Sequence, residues 1–236
     1  MLWCANRSDA GRQCIAAGGC CRIGYNLDWS PAGTGKRLRR LLGLRKQGTL
    51  LNGKLVFSDE FNGGSLDRSK WNVIGPDFWI NNKQQAYFDT PDTIRFLAAG
   101  EASGAQDGVL VLQPHFREGF RTPDGRSVDF MSGRIDTRGK FEFTHGRAVA
   151  RIRMPDAAGV WAVFWLLGNG KWPDTGEIDI MEYVGEKDWI GVALHGPDYS
   201  GDTPLVNKYF SDAGEDVTSW HEYAVGPVAA ADRLPG

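Results

Sequence analysis

The chain has 236 residues, of which 42% are apolar and 24% charged, with a formal net charge of −2. That length supports one domain with a substantial core. No apolar run is long enough to cross a bilayer as a helix, and no internal repeat marks a solenoid or propeller.

The balance of charge is split along the chain. Residues 1–54 carry 10 Lys/Arg against 2 acids, and the remainder 17 against 27. All four cysteines (Cys4, Cys14, Cys20 and Cys21) lie in this first segment. Their spacing matches no zinc pattern, so disulfides and a metal cluster both stay open. The run KRLRRLLGLRK from Lys36 to Lys46 has the pattern of a short basic amphipathic helix, but such runs are more often solvated. Gly33-Thr34-Gly35-Lys36 fails as a phosphate loop, because Arg37 stands where Ser or Thr is required. No basic start, apolar stretch and cleavage site follow in the order of a signal peptide. Residues 1–54 are expected to be a disordered or non-domain segment, with no nucleic-acid partner and no membrane span.

From residue 55 the pattern changes to short β-rich or alternating segments. They fall at 55–60, 84–88, 93–97, 108–114, 130–137, 140–154, 160–167, 177–184, 190–195 and 220–225. Turn signals separate them, among them Asn62-Gly63-Gly64, Pro123-Asp124-Gly125 and Asp174-Thr175-Gly176. No helical stripe longer than a turn interrupts them. Many short strands with turn signals predict an all-β sandwich or barrel.

One of these segments concentrates the chemistry. Gly176–Gly185 reads GEIDIMEYVG and sets Glu177, Asp179 and Glu182 among Ile178, Ile180, Met181 and Val184. In a regular strand residues 177, 179 and 181 share a face, and Glu182 points the other way. A β-bulge that absorbs Met181 or Ile180 resets the parity and returns Glu182 to the face of the other two acids. The glutamates then stand roughly 13 Å apart at Cα, at ~3.3 Å per residue, and a concave sheet brings their side chains closer. Carboxyls about 5–5.5 Å apart suit a retaining glycosidase. Glu177 would be the nucleophile, Glu182 the acid/base, and Asp179 the group that separates their titrations. Spacing alone leaves two other readings open, a solvated strand face and a divalent-cation site.

The surroundings resemble glycoside hydrolase family 16, in particular its laminarinase-like β-1,3-glucanases. The family's bulged E-x-D-x-x-E is matched by Glu177, Asp179 and Glu182. LVFSDEFNGGSLDRSKWN at 55–72 resembles its opening strand and turn, and NNKQQAYFD at 81–89 its NNEQQ-type cleft segment. SGRIDTRGKFEFTHGRAVARIRMP at 132–155, VWAVFWLLG at 160–168, WPDTGEIDIMEYVG at 172–185 and LHGPDYSG at 194–201 are similar in the same order. His145 stands where the family usually has Tyr, and Val149 where it usually has Glu. The resemblance implies a concanavalin-like jelly roll of two curved antiparallel sheets over residues 55–225, with the glucan in a concave cleft.

Seven of the nine tryptophans lie between Trp71 and Trp220, and a pyranose packs its flat C–H face on an aromatic ring. The resemblance assigns Trp161, Trp165 and Trp172 to the cleft, Asn81 and His195 to sugar hydroxyls, and Arg147 to its vicinity. Trp71, Trp189 and Trp220 are expected in packing, and His115, His145 and His221 as surface or satisfied residues. SWHEYAV at 219–225 resembles the point where family members run on into further strands. The irregular 226–236 instead predicts a domain truncated at its C-terminus. No cofactor is implied beyond a structural calcium near Glu60, which also needs an acid from those later strands.

The expected function is retaining endo-hydrolysis of β-1,3-glucan by an extracellular monomer. Three alternatives stay open: the same reaction on a mixed-linkage glucan or galactan, a glucan-binding module without hydrolysis, and an inactive fragment. Modules of that kind typically lose the glutamates, which are intact here.

Overall fold

The computed structural model describes residues 54–211 and 216–226, and the backbone of 2–3, 14–17 and 21–25. The basic run at 36–46, Cys4, Cys20, the side chains of Cys14 and Cys21, and residues 227–236 lie outside the described residues. Every regular element described is a strand. The N-terminal segment supplies β1 (Leu2–Trp3), β2 (Cys14–Ala17) and β3 (Cys21–Tyr25). Then follow β4 (Lys54–Asp59), β5 (Asn72–Val73), β6 (Gln85–Tyr87), β7 (Ile94–Leu97), β8 (Val109–Leu112) and β9 (His115–Arg121). The second half holds β10 (Ser127–Ser132), β11 (Arg134–Asp136), β12 (Arg147–Arg153) and β13 (Ala162–Leu167). It ends with β14 (Glu177–Tyr183), β15 (Trp189–His195), β16 (Leu205–Phe210) and β17 (His221–Val225).

Two large sheets form the sandwich that the alternating segments predict. One is ordered β16-β15-β14-β13-β1-β11-β5, the other β4-β3-β12-β2-β8-β7 with β17 paired to β12. A smaller sheet, β6-β10-β9, runs into the first through Gly133, which separates β10 from β11. A Cβ at Gly133 would lie 2.6 Å from the carbonyl oxygen of Thr93, so the chain passes too close for a side chain.

Period-2 alternation explains the core. Ala148, Ala150 and Ile152 of β12 face Ala162 and Phe164 of β13 and Ile180 and Met181 of β14 in one buried cluster. Arg151 and Arg153 point the other way and stack on Trp220, 5.0 and 5.1 Å from its rings. Trp71 packs edge-on against Phe57 at 5.4 Å and is buried, as expected of a core tryptophan.

Some boundaries differ from the sequence reading. The segment at 140–154 begins as a turn, with Gly139 and Gly146 at positive φ, and becomes a strand only at Arg147. Phe141 and Phe143 still pack on the core from that irregular stretch. Residues 2–3, 14–17 and 21–25 also differ from the expectation of a non-domain segment, because they pair into both sheets. Leu2 lies between Ile135 and Phe164, Ala16 beside Ile152, and Ile23 between Ala148 and Phe57. The backbone N–H and C=O groups of β11, β12 and β13 need partners, and these extended segments supply them.

Candidate active site

The catalytic-looking strand β14 carries the irregularity that its spacing demands. Against β13, Leu167 pairs with Glu177, Trp165 with Asp179, then Phe164 with Met181 and Val163 with Glu182. Ile180 is the residue passed over. Against β15, Asp179 pairs with Ala193 and Glu182 with Gly191, so three steps on β14 match two on its neighbour. The bulge puts Glu177, Asp179 and Glu182 on one face with Val163, Trp165 and Leu167. Ile180 and Met181 turn into the core instead. Gly176 and Gly185 bound the strand at φ 80° and 91°. The loop before it closes through the Gly168 amide, which donates to the Gly176 carbonyl, and contains the cis Trp172–Pro173 peptide.

Each acid has a different partner. The Trp172 indole N–H donates to Glu177 Oε2 at 2.8 Å, and the Trp161 indole N–H to Glu182 Oε1 at 3.2 Å. His195 Nε2 lies 3.2 Å from Asp179 Oδ2. Burial, then the charges of Glu182 and Glu177, push Asp179 up to about 8. Burial also raises Glu182, with Glu177 adding to it, while the Trp161 indole and His195 hold it back. Asp179 therefore keeps its proton to a higher pH than an ordinary aspartate, and Glu182 to a higher pH than an ordinary glutamate. Trp172 is 44% exposed and its ring stands 5.8 Å from that of His195, so the Glu177 end of the row opens to solvent.

Trp161, Trp172 and His195 thus contact the three acids, and Trp165 lies opposite Asp179 on β13. Asn81 is exposed in the turn before β6, at φ 57°. Arg147 is not brought to the site. It opens β12 in the opposite sheet, on the face directed away from the core, because Ala148 takes the inward position. His115 and His221 are satisfied by the carbonyls of Asp92 and Asp216, and His145 is exposed. Sequence reasoning missed Arg134 and Lys83. The Arg134 guanidinium lies 5.0 Å over Trp165 and shares a cavity with Glu177 and His195. The signal for Lys83 was its place inside the NNKQQ segment. Among the described residues no group of three or more His, Cys, Asp or Glu side chains is placed to hold a metal ion.

Residues 121–216 match the XgeA-like catalytic GH16 domain. The chain is 36% identical over 140 residues to a β-glucanase of Rhodothermus marinus, covering 56% of this chain and 44% of the relative. It is 35% identical over 165 residues to a glucan endo-1,3-β-glucosidase of Cryptopygus antarcticus, covering 66% and 57%. The laminarinase catalytic domain of Thermotoga maritima superposes with a TM-score of 0.63 at 30% identity, over 74% of this chain and 70% of that one. The chain belongs to glycoside hydrolase family 16. Its two sheets are those of the family's jelly roll. The chain spans about half the length of the first curated relatives it matches.

Proposed function

We propose that this family 16 domain hydrolyses β-1,3-glucan internally, by double displacement with retention at the anomeric carbon. The observation that supports it most is the bulge, which sets three acids of unlike environment on one sheet face. Glu177, at the open end and held by the Trp172 indole, attacks the anomeric carbon. Glu182, with its pKa raised by burial, protonates the leaving oxygen and then takes a proton from the incoming water. Asp179, where it keeps its proton beside His195, adds no third negative charge next to the developing glycosyl-enzyme. Trp161 and the exposed Trp172 give the sugar rings apolar surface next to those acids. Double displacement by two carboxyls requires no cofactor. Both carboxyls come from one chain, so one copy suffices, and a polymeric substrate places the reaction outside the cell.

Incubation with laminarin, followed by reducing-sugar and viscosity measurements, tests this reading. Viscosity is expected to fall ahead of sugar release, with Glu177→Ala lowering the rate about 10³-fold or more. Lichenan and agarose run in parallel test the mixed-linkage and galactan alternatives. Binding of laminarin without product would mark a recognition module instead.

A further inference from the structure

Next to the acids, on the same side of the sheet, stands a cluster of cations and aromatic rings that the hydrolytic mechanism does not use. The chain between β5 and β6 turns at Asn81 and Asn82, both at positive φ (57° and 47°), a conformation that asparagine tolerates better than most residues. The Lys83 amide donates to the Ile80 carbonyl, and the Trp79 indole donates to the Lys83 carbonyl at 2.9 Å, which fixes the turn. Lys83, Gln85 and Tyr87 then fall at alternate positions along one face. Lys83 Nζ sits 4.1 Å from the Tyr87 ring centroid and 4.6 Å from that of Phe78. The Arg134 guanidinium lies 4.4 Å from the Phe78 centroid on its way to Trp165, and that of Arg126 lies 5.6 Å from the Trp79 centroid.

Lys83 and Arg134, of like charge, thus meet over the same two rings, Phe78 and Tyr87. Arg126 is already engaged, by Asp124 at 2.7 Å and by the Pro76 carbonyl. Yet its Nη1, Lys83 Nζ and Gln85 Nε2 are buried with no hydrogen-bond partner. Gln85 is only 2% exposed, and the Arg134 guanidinium stands 5.6 Å from the centroid of the same Tyr87 ring that Lys83 covers. Cation–π contact offsets part of the cost of burying the Lys83 ammonium but leaves its N–H donors unused. Burial, then the charges of Arg134 and Arg126, push that amine down to about 7. Lys83 also stands where the NNEQQ pattern carries Glu, so the charge at this position is reversed.

We propose that Lys83, Gln85, Arg126 and Arg134 form an anion subsite at one end of the cleft, which takes a sulfate, phosphate or carboxylate group carried by the polysaccharide. Trp165 links it to the chemistry. Its ring lies under Arg134, and its strand position faces Asp179. A chain bound across the acids therefore presents the substituent of a neighbouring sugar to the cluster. The inference rests on reading the cleft as a glycan-hydrolysing site and names the class of glycan it prefers.

The test compares neutral laminarin with lightly sulfated, phosphorylated and carboxymethylated laminarin, reading the ratio of kcat/KM for each anionic polymer over the neutral one. The wild type is expected to favour at least one anionic polymer tenfold or more, and the polymer favoured identifies the group. Lys83→Met keeps the apolar stem and is expected to lower that ratio at least tenfold, and Lys83→Glu to take it below one. A wild-type ratio near one for all three polymers, or a ratio unchanged in Lys83→Met, overturns the subsite. Calorimetric titration of the wild type with a sulfated laminari-oligosaccharide and with its neutral counterpart separates this failure from a failure of the hydrolytic reading. Tighter binding of the sulfated form that Lys83→Met abolishes supports the subsite even if no polymer is cut. Equal binding of the two forms counts against it.

Discussion

At the residue scale, the site works by giving similar carboxyls different surroundings. Glu177 has an indole donor at the open end, Glu182 an indole donor at a half-buried position, and the buried Asp179 an imidazole. The Asp179 proton has a consequence for stability. Its pKa in the folded protein, about 8, is above the ordinary aspartate value, so folding favours the neutral form. That contribution is fully present below about pH 4 and is lost as pH rises through 8. Asp179→Asn cannot ionise and escapes the loss. Urea unfolding at pH 4.5 and 8.5 should show the variant gaining on the wild type between the two pH values, by about 4–5 kcal/mol at full expression of the shift. Parallel pH dependence of the two proteins would mean that Asp179 is ionised in the fold.

At the scale of elements, β14 does two jobs because its parity changes once. Before the bulge, alternate residues give Glu177 and Asp179 to the cleft. After it, Glu182 returns to that face while Ile180 and Met181 fill the core. The strand ends at Gly185, at φ 91°, where a Cβ would lie 2.7 Å from the Ala157 carbonyl oxygen. Gly185→Ala is expected to cost about 1–3 kcal/mol in chemical unfolding, and a smaller cost would show that the neighbouring loop gives way. Much of this strand was legible in the sequence, since three acids among strand-forming residues fit one face only with a bulge. Other elements were not. β9 (HFREGFR) is largely exposed on both sides and shows no apolar alternation, so nothing marked it as a strand. Arg147 was misplaced for a related reason. A period of two tells which residues share a face, but not which sheet that face belongs to. Lys83 and Arg134 were hidden because their proximity depends on a turn and on pairing between distant segments.

At the scale of the molecule, the sandwich separates stability from chemistry. The inner faces of the two sheets form one apolar cluster, and the outer face of the β13–β14 pair carries acids and tryptophans. On that outer face Trp161 and Trp172 flank the acids, and Trp165 lies buried beneath Arg134. A rigid sheet suits this arrangement, because both carboxyls are held on a single strand and their separation is set by one bulge. That separation decides stereochemistry, since a pair close enough for direct attack retains configuration and a wider pair that admits water inverts it. Proton NMR of a laminari-oligosaccharide digest, recorded before mutarotation, tests the central claim most directly. The β anomer should appear first and the α anomer only later. An α anomer as the first product would contradict the roles assigned to Glu177 and Glu182.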